Sequence, residues 1–132
     1  MNVIAHGIDL IECDRIAHIL RDHPDRFLDR ILTPAERAYC QRMKNPVPHV
    51  AGRFAAKEAI LKVLGTGWRG PISWTDIEVL NDQSGRPHVT LTGPTAEIAA
   101  KLGIDRILIS ITHTDNYGAA SAIGLSSPAH SP

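Results

Sequence analysis

Apolar positions along this 132-residue chain switch between a two-residue and a helical period, and the switches mark its elements. Residues 2–11 are β-branched and apolar around Gly7, which predicts a strand delivering Asp9 near its end. Ile16, Ile19 and Leu20 recur at helical spacing over 14–21, leaving Arg15, His18 and Arg21 on the other face, and Pro24 ends that helix. Phe27, Ile31 and Leu32 keep the helical period. Thr33-Pro34-Ala35-Glu36 is a capping box with proline at the first helical position, predicting a helix over 34–43. Pro46 and Pro48 break the chain, and the most apolar helix follows over 49–64, capped by Gly65 or Gly67.

The second half reads mostly as strand. Residues 66–75 form a loop whose Trp68 and Trp74 pack against an edge, and 76–80 and 87–91 are two strands joined by a hairpin turn over 81–86. Gly93-Pro94 opens a helix to 102, and strands over 106–112 and 117–125 flank a turn at Thr114-Asp115-Asn116. Alanine and serine dominate the last strand, so another layer or subunit can approach it closely. One strand, then helices, then mostly strands is an α+β order rather than repeated βαβ. The expected organisation is one domain over 1–125 with a disordered tail over 126–132.

Composition narrows the function classes. Hydrophobic residues make up 43%, enough for a core, and fourteen basic residues balance fourteen acidic ones, so no global field favours nucleic acid or an anionic membrane. The apolar runs fall short of the ~20 residues of a membrane span, and a cytoplasmic protein is expected. Cys13 and Cys40 lack metal-ligand spacing and read as free thiols. No GxGxxG or Walker loop occurs.

The segment GRFAAKEAILKVLGTG, residues 52–67, carries the candidate chemistry. Residues four apart share a helix face, so Arg53 stacks over Lys57 and Glu58 over Lys62 within an otherwise apolar helix. Glu58 and Lys62 are either a partly exposed ion pair or part of a site. Asp9 interrupts an apolar strand and either faces solvent or serves a function. If Asp9 and Glu58 meet, two carboxylates suit magnesium, with Arg53, Lys57 and Lys62 holding phosphates. That set would make a phosphoryl-transfer site; His113, ending an apolar strand between Thr112 and Thr114, either caps a turn or donates to a phosphate.

Three segments in order, GIDLIECDRI, GRFAAKEAILKVLGTG and ISITHTDNYGAASAI, together with RFLDRILTPAE, resemble the holo-acyl-carrier-protein synthases of the 4′-phosphopantetheinyl transferase superfamily. The resemblance implies that family's fold, a mostly antiparallel sheet packed against a long helix with shorter helices. It also implies a magnesium-dependent transfer of 4′-phosphopantetheine from coenzyme A to a serine of apo acyl carrier protein, serving fatty acid biosynthesis. By the resemblance Asp9 and Glu58 hold the metal, with Lys62 near the reacting phosphate. Arg53, Lys57, Gly65, Thr66, Thr112 and His113 fall in segments that line the coenzyme A groove. It further implies a homotrimer with active sites between subunits, and carrier-protein docking on Arg15 and Arg21, extended by Arg26 and Arg30. The proton acceptor is open between Glu58, Lys62 and a metal-bound water. Cys13, where the family often has a hydrophobic residue, and the Pro46–Pro48 linker depart from the pattern and bear on carrier docking.

Overall fold

A computed structural model describes residues 1–67 and 70–128; the expectation for Trp68 and the end of the expected tail lie outside them. Strand β1 (Asn2–Glu12) runs directly into helix α1 (Cys13–Asp22), followed by α2 (Pro24–Ile31), α3 (Pro34–Gln41) and the long α4 (Pro46–Leu64). A 3₁₀ turn (Trp74–Asp76) leads to β2 (Ile77–Asn81) and β3 (Pro87–Leu91), then α5 (Gly93–Lys101), β4 (Arg106–His113) and β5 (Tyr117–Ser126). The order is α+β, as the sequence pattern predicts.

The capping box forms as read: the Glu36 amide donates to Thr33 Oγ1 at 3.3 Å and the Thr33 amide to Glu36 Oε1 at 2.8 Å. Helix α4 starts three residues before the expected His49. Pro46 and Pro48 lie in its first turn, where missing N–H groups cost nothing, and the Asn45 side chain caps it by accepting from the Val47 amide. Gly65 ends it in the left-handed region at φ 73°.

Three antiparallel strands form a sheet in the order β1-β5-β4, and β2 and β3 make a separate hairpin. Helix α4 lies on one face of the sheet, over β5, and the small residues of β5 explain how. A Cβ on Gly118 would come within 2.8 Å of the Ala51 and Gly52 backbone, one on Gly124 within 2.7 Å of Val63, and Ala120 and Ala122 are buried between them. The layer that approaches this small-residue strand is therefore α4 itself. Gly7 serves β1 alike, since a Cβ there would sit 2.2 Å from the Ala59 carbonyl oxygen. Val50, Ala55, Ile60, Leu61 and Ile16 fill the core around the helix, each large aliphatic side chain contributing ~1.5–3 kcal/mol.

Candidate active site

Strand alternation and the Gly7 contact fix the direction of Asp9. Gly7 and Ile11 face α4, so Asp9 between them faces α4 too, and antiparallel packing of β1 on α4 sets it beside the turn carrying Glu58 and Lys62. Lys62 spans the seam: its Nζ donates to the Ile8 carbonyl at 2.7 Å and to Asp9 Oδ1 at 3.3 Å. The lysine side chain is 54% exposed and the aspartate 18%. Asp9, a partner of Lys62 that helical spacing does not offer, is 53 positions away. The second oxygen of Asp9, Oδ2, is buried and has no hydrogen-bond partner. Glu58 is half-buried and stands one helical turn before Lys62 on α4. Gly65 and Thr66 follow Lys62 at the helix end, the first exposed and the second half-buried.

Arg53 lies on the opposite side of α4, two and a half turns before Lys62 at about 3.6 residues per turn. It is 3% exposed, its Nη2 donates to Asn81 Oδ1 at 2.6 Å, and its guanidinium stacks 4.2 Å from the Tyr39 ring centre. Its Nε is buried without a partner. His113 comes to the same place from the end of β4, its ring centre 4.8 Å from that of His49. Tyr39, His49, Arg53, Asn81, Ile111 and His113 line a groove of about 120 Å³. Burial, with His113 and Arg53 nearby, lowers the His49 imidazole below its ordinary value.

Two expected groove residues stand elsewhere. Lys57 is wholly buried: its ammonium donates to the Ile31 carbonyl at 2.7 Å, to Glu36 Oε1 at 2.7 Å and to the Trp74 carbonyl at 3.1 Å. Glu36 Oε2 meanwhile accepts from the Val79 amide at 2.8 Å. All three ammonium donors are spent, so Lys57 has none for a phosphate; it ties α2, α3, the 3₁₀ turn and β2 to α4. Burial lowers the Lys57 pKa while Glu36 acts to hold it up. Thr112 neighbours His113 in sequence, but strand alternation turns it to the other face of the sheet, opposite Ala119.

That other face carries Ile8, Leu10, Leu108 and Tyr117, all exposed. The expected docking arginines are exposed on α1, which leaves β1 three residues after Asp9. Arg15 reaches over the Phe54 ring at 6.0 Å, and Arg21 lies 3.0 Å from His18 Nδ1 and 3.5 Å from Asp22. Cys13 and Cys40 are buried free thiols. No helix among the described residues is long and apolar enough to cross a membrane. His49, Asn81 and Tyr39 were not among the expected site residues. Their one sequence signal is that His49, at the very start of the expected helix, precedes Arg53 by four positions, which places both on one helix face.

The chain as a whole matches known proteins. It is 46% identical over 121 residues to a holo-[acyl-carrier-protein] synthase of Koribacter versatilis, covering 92% of this chain and 97% of that protein. Its fold is similar to the crystal structure of the holo-[acyl-carrier-protein] synthase of Neisseria meningitidis, with a TM-score of 0.85, 31% identity and coverage of 95% of this chain and 100% of that one. It is likewise similar to the Bacillus anthracis holo-(acyl-carrier-protein) synthase in complex with CoA (3′,5′-ADP), with a TM-score of 0.78, 36% identity and coverage of 95% and 98%. The model of the 4′-phosphopantetheinyl transferase superfamily matches residues 5–121, and with most of the chain inside that match the protein belongs to this superfamily.

Proposed function

We propose that this chain transfers the 4′-phosphopantetheine group of coenzyme A to a serine of an apo acyl carrier protein and releases adenosine 3′,5′-bisphosphate. The meeting of Asp9 and Lys62 across the seam of β1 and α4 carries the reading, in a chain similar throughout to holo-[acyl-carrier-protein] synthases. The serine oxygen bonds to the phosphorus bearing pantetheine, the bond from that phosphorus to the bridging pyrophosphate oxygen breaks, and the serine proton passes to solvent water. The electron pair departs with the bisphosphate. Lys62, exposed and held by Ile8 and Asp9, places a fixed positive charge where that negative charge grows.

Asp9 and Glu58 are the residues that would hold magnesium. The buried, unpartnered Asp9 Oδ2 fits this, because a carboxylate oxygen removed from water needs a hydrogen-bond donor or a cation. Oxygen ligands suit a hard ion, and among the described residues no cluster of three or more His, Cys, Asp or Glu offers a fuller metal site. When bound, the ion neutralises pyrophosphate charge. Arg53 and His113 hold the nucleotide's phosphates in their carboxylate-free groove, and Gly65 and Thr66 line the Lys62 end. Arg15 and Arg21, with Arg26 and Arg30 extending them, receive the acidic carrier on the helix that leaves β1 beside Asp9.

The seam and the groove sit on opposite edges of the sheet, two strand spacings or about 10 Å apart, with α4 between them. One ligand reaches both when the β1 edge of one copy meets the β4 edge of another. A homotrimer achieves this and covers the exposed Ile8, Leu10, Leu108 and Tyr117, and it brings Thr112 to a subunit boundary. Work in the cytoplasm for fatty acid biosynthesis belongs to the same reading. Mass spectrometry of an apo carrier protein incubated with coenzyme A, magnesium and this protein tests it. A phosphopantetheine mass gain is expected, strongly reduced by Asp9→Ala; no gain, or an undiminished gain with that variant, contradicts it.

A further inference from the structure

The groove at the β4 edge contains a titratable side chain that the transfer reading does not use. His49 stands one turn before Arg53 on α4, half-buried, its ring centre 4.8 Å from that of His113 and 6.1 Å from that of Tyr39. The titratable and charged groups around it come from three elements. Tyr39 belongs to α3, Arg53 to α4 and His113 to β4, and Arg42 after α3 lies 5.7 Å from the Tyr39 ring centre. Among the described residues no carboxylate lines the groove. Arg53 is more than nine-tenths buried there, and its Nε lacks an acceptor. A buried donor without a partner is costly, so this wall is built to receive an acceptor.

We propose that His49 is a proton-linked ligand of coenzyme A: it takes up a proton from solvent as a phosphate group of the nucleotide enters the groove beside Arg53 and His113, and the imidazolium then donates to that phosphate. This rests on the groove holding the nucleotide's phosphates. In the free protein, burial and the two neighbouring basic groups keep the imidazole below its ordinary value, so it is uncharged near neutral pH. A phosphate within about 4–6 Å reverses the local field and favours the charged ring. Protonation also turns one N–H donor into two. His49 thereby makes affinity for the nucleotide respond to pH, which Arg53 cannot do, since its charge is fixed.

Calorimetry of coenzyme A binding to the full chain at pH 7, in two buffers of different ionisation enthalpy, reads the protons exchanged. The wild type is expected to take up more protons per coenzyme A than His49→Phe, which keeps a ring against Tyr39 and His113 but does not titrate. Wild-type affinity should fall with rising pH by up to about tenfold per unit in the linked window, and the variant's should fall less steeply. Equal proton exchange in two proteins that both bind coenzyme A overturns the role of His49 and leaves the transfer reading standing. Failure of the wild type to bind coenzyme A overturns both. Histidine ring resonances of the wild type give a readout independent of any variant's folding. The His49 midpoint should rise when adenosine 3′,5′-bisphosphate is added, and an unmoved or lowered midpoint overturns the inference.

Discussion

The two edges of the sheet carry opposite kinds of polar chemistry. At the β1 edge, Asp9 pairs with Lys62 and keeps one buried oxygen without a partner. At the β4 edge the groove of Arg53, His49, His113, Asn81 and Tyr39 contains no carboxylate, and the spare group is an arginine donor. One edge is short of a cation and the other of an anion. A metal ion and a nucleotide phosphate would satisfy the two, yet α4 stands between them within a single chain. The contrast teaches that this helix divides two complementary chemistries within one chain, which the proposed pairing of copies would bring together.

Lys57 belongs to neither edge and offers the harshest test of that division. Lys57→Met leaves the Glu36 carboxylate buried without its cation, so stability should fall by ~3–5 kcal/mol, read as a lower urea midpoint. Both edges should then fail together. Lys62→Ala should cost less, ~1–3 kcal/mol, because the lysine is half-exposed although the Asp9 carboxylate it leaves is mostly buried. Transfer should slow by about 100–1000-fold, with the loss in kcat rather than in coenzyme A affinity. A variant that lost stability but not rate would move Lys62 into the structural class of Lys57.

Gly7→Ala should loosen the β1 edge alone. Its Cβ cannot occupy a point 2.2 Å from the Ala59 carbonyl without displacing the strand, at a cost of ~1–3 kcal/mol. Transfer should fall while nucleotide binding at the β4 edge persists, measured by calorimetry.

The smallest expected effect is on the β4 edge, through pH. The folded-state pKa of His49 lies below 6.5, so the unfolded chain takes up a proton before the folded one does. Stability should therefore be full above pH 6.5 and fall as pH drops below it through the folded value. Urea titrations at pH 7.5 and pH 5 should show the difference narrowed in His49→Phe.

Much of this was legible in the sequence, and the misreadings have physical causes. Periodicity and capping placed the five strands and the helices α1, α3, α4 and α5 because local preference and packing agree there. Prolines at 46 and 48 read as a break, yet the first helical turn tolerates them, so α4 starts three residues early. Helical spacing put Arg53 and Lys57 in one row, but it cannot say that α3 and the 3₁₀ turn close over the second of them. The resemblance implies Thr112 and His113 together because both lie in one segment, but the two-residue period of a strand sends adjacent side chains to opposite faces. Asp9 and Glu58 were legible as odd charges in apolar elements. The contact of Asp9 with Lys62 was not, because it depends on how closely Gly7 lets a strand approach a helix.

Subunit complementation tests most directly the claim that the two edges meet across copies. Asp9→Ala disables the β1 edge and His113→Ala the β4 edge, so each variant alone should be almost inactive. Mixed and reassembled in equal amounts, they should recover about a quarter of wild-type transfer, since one site in four would pair an intact β1 edge with an intact β4 edge. No recovery from a mixture that is folded and shown to exchange subunits would contradict the account.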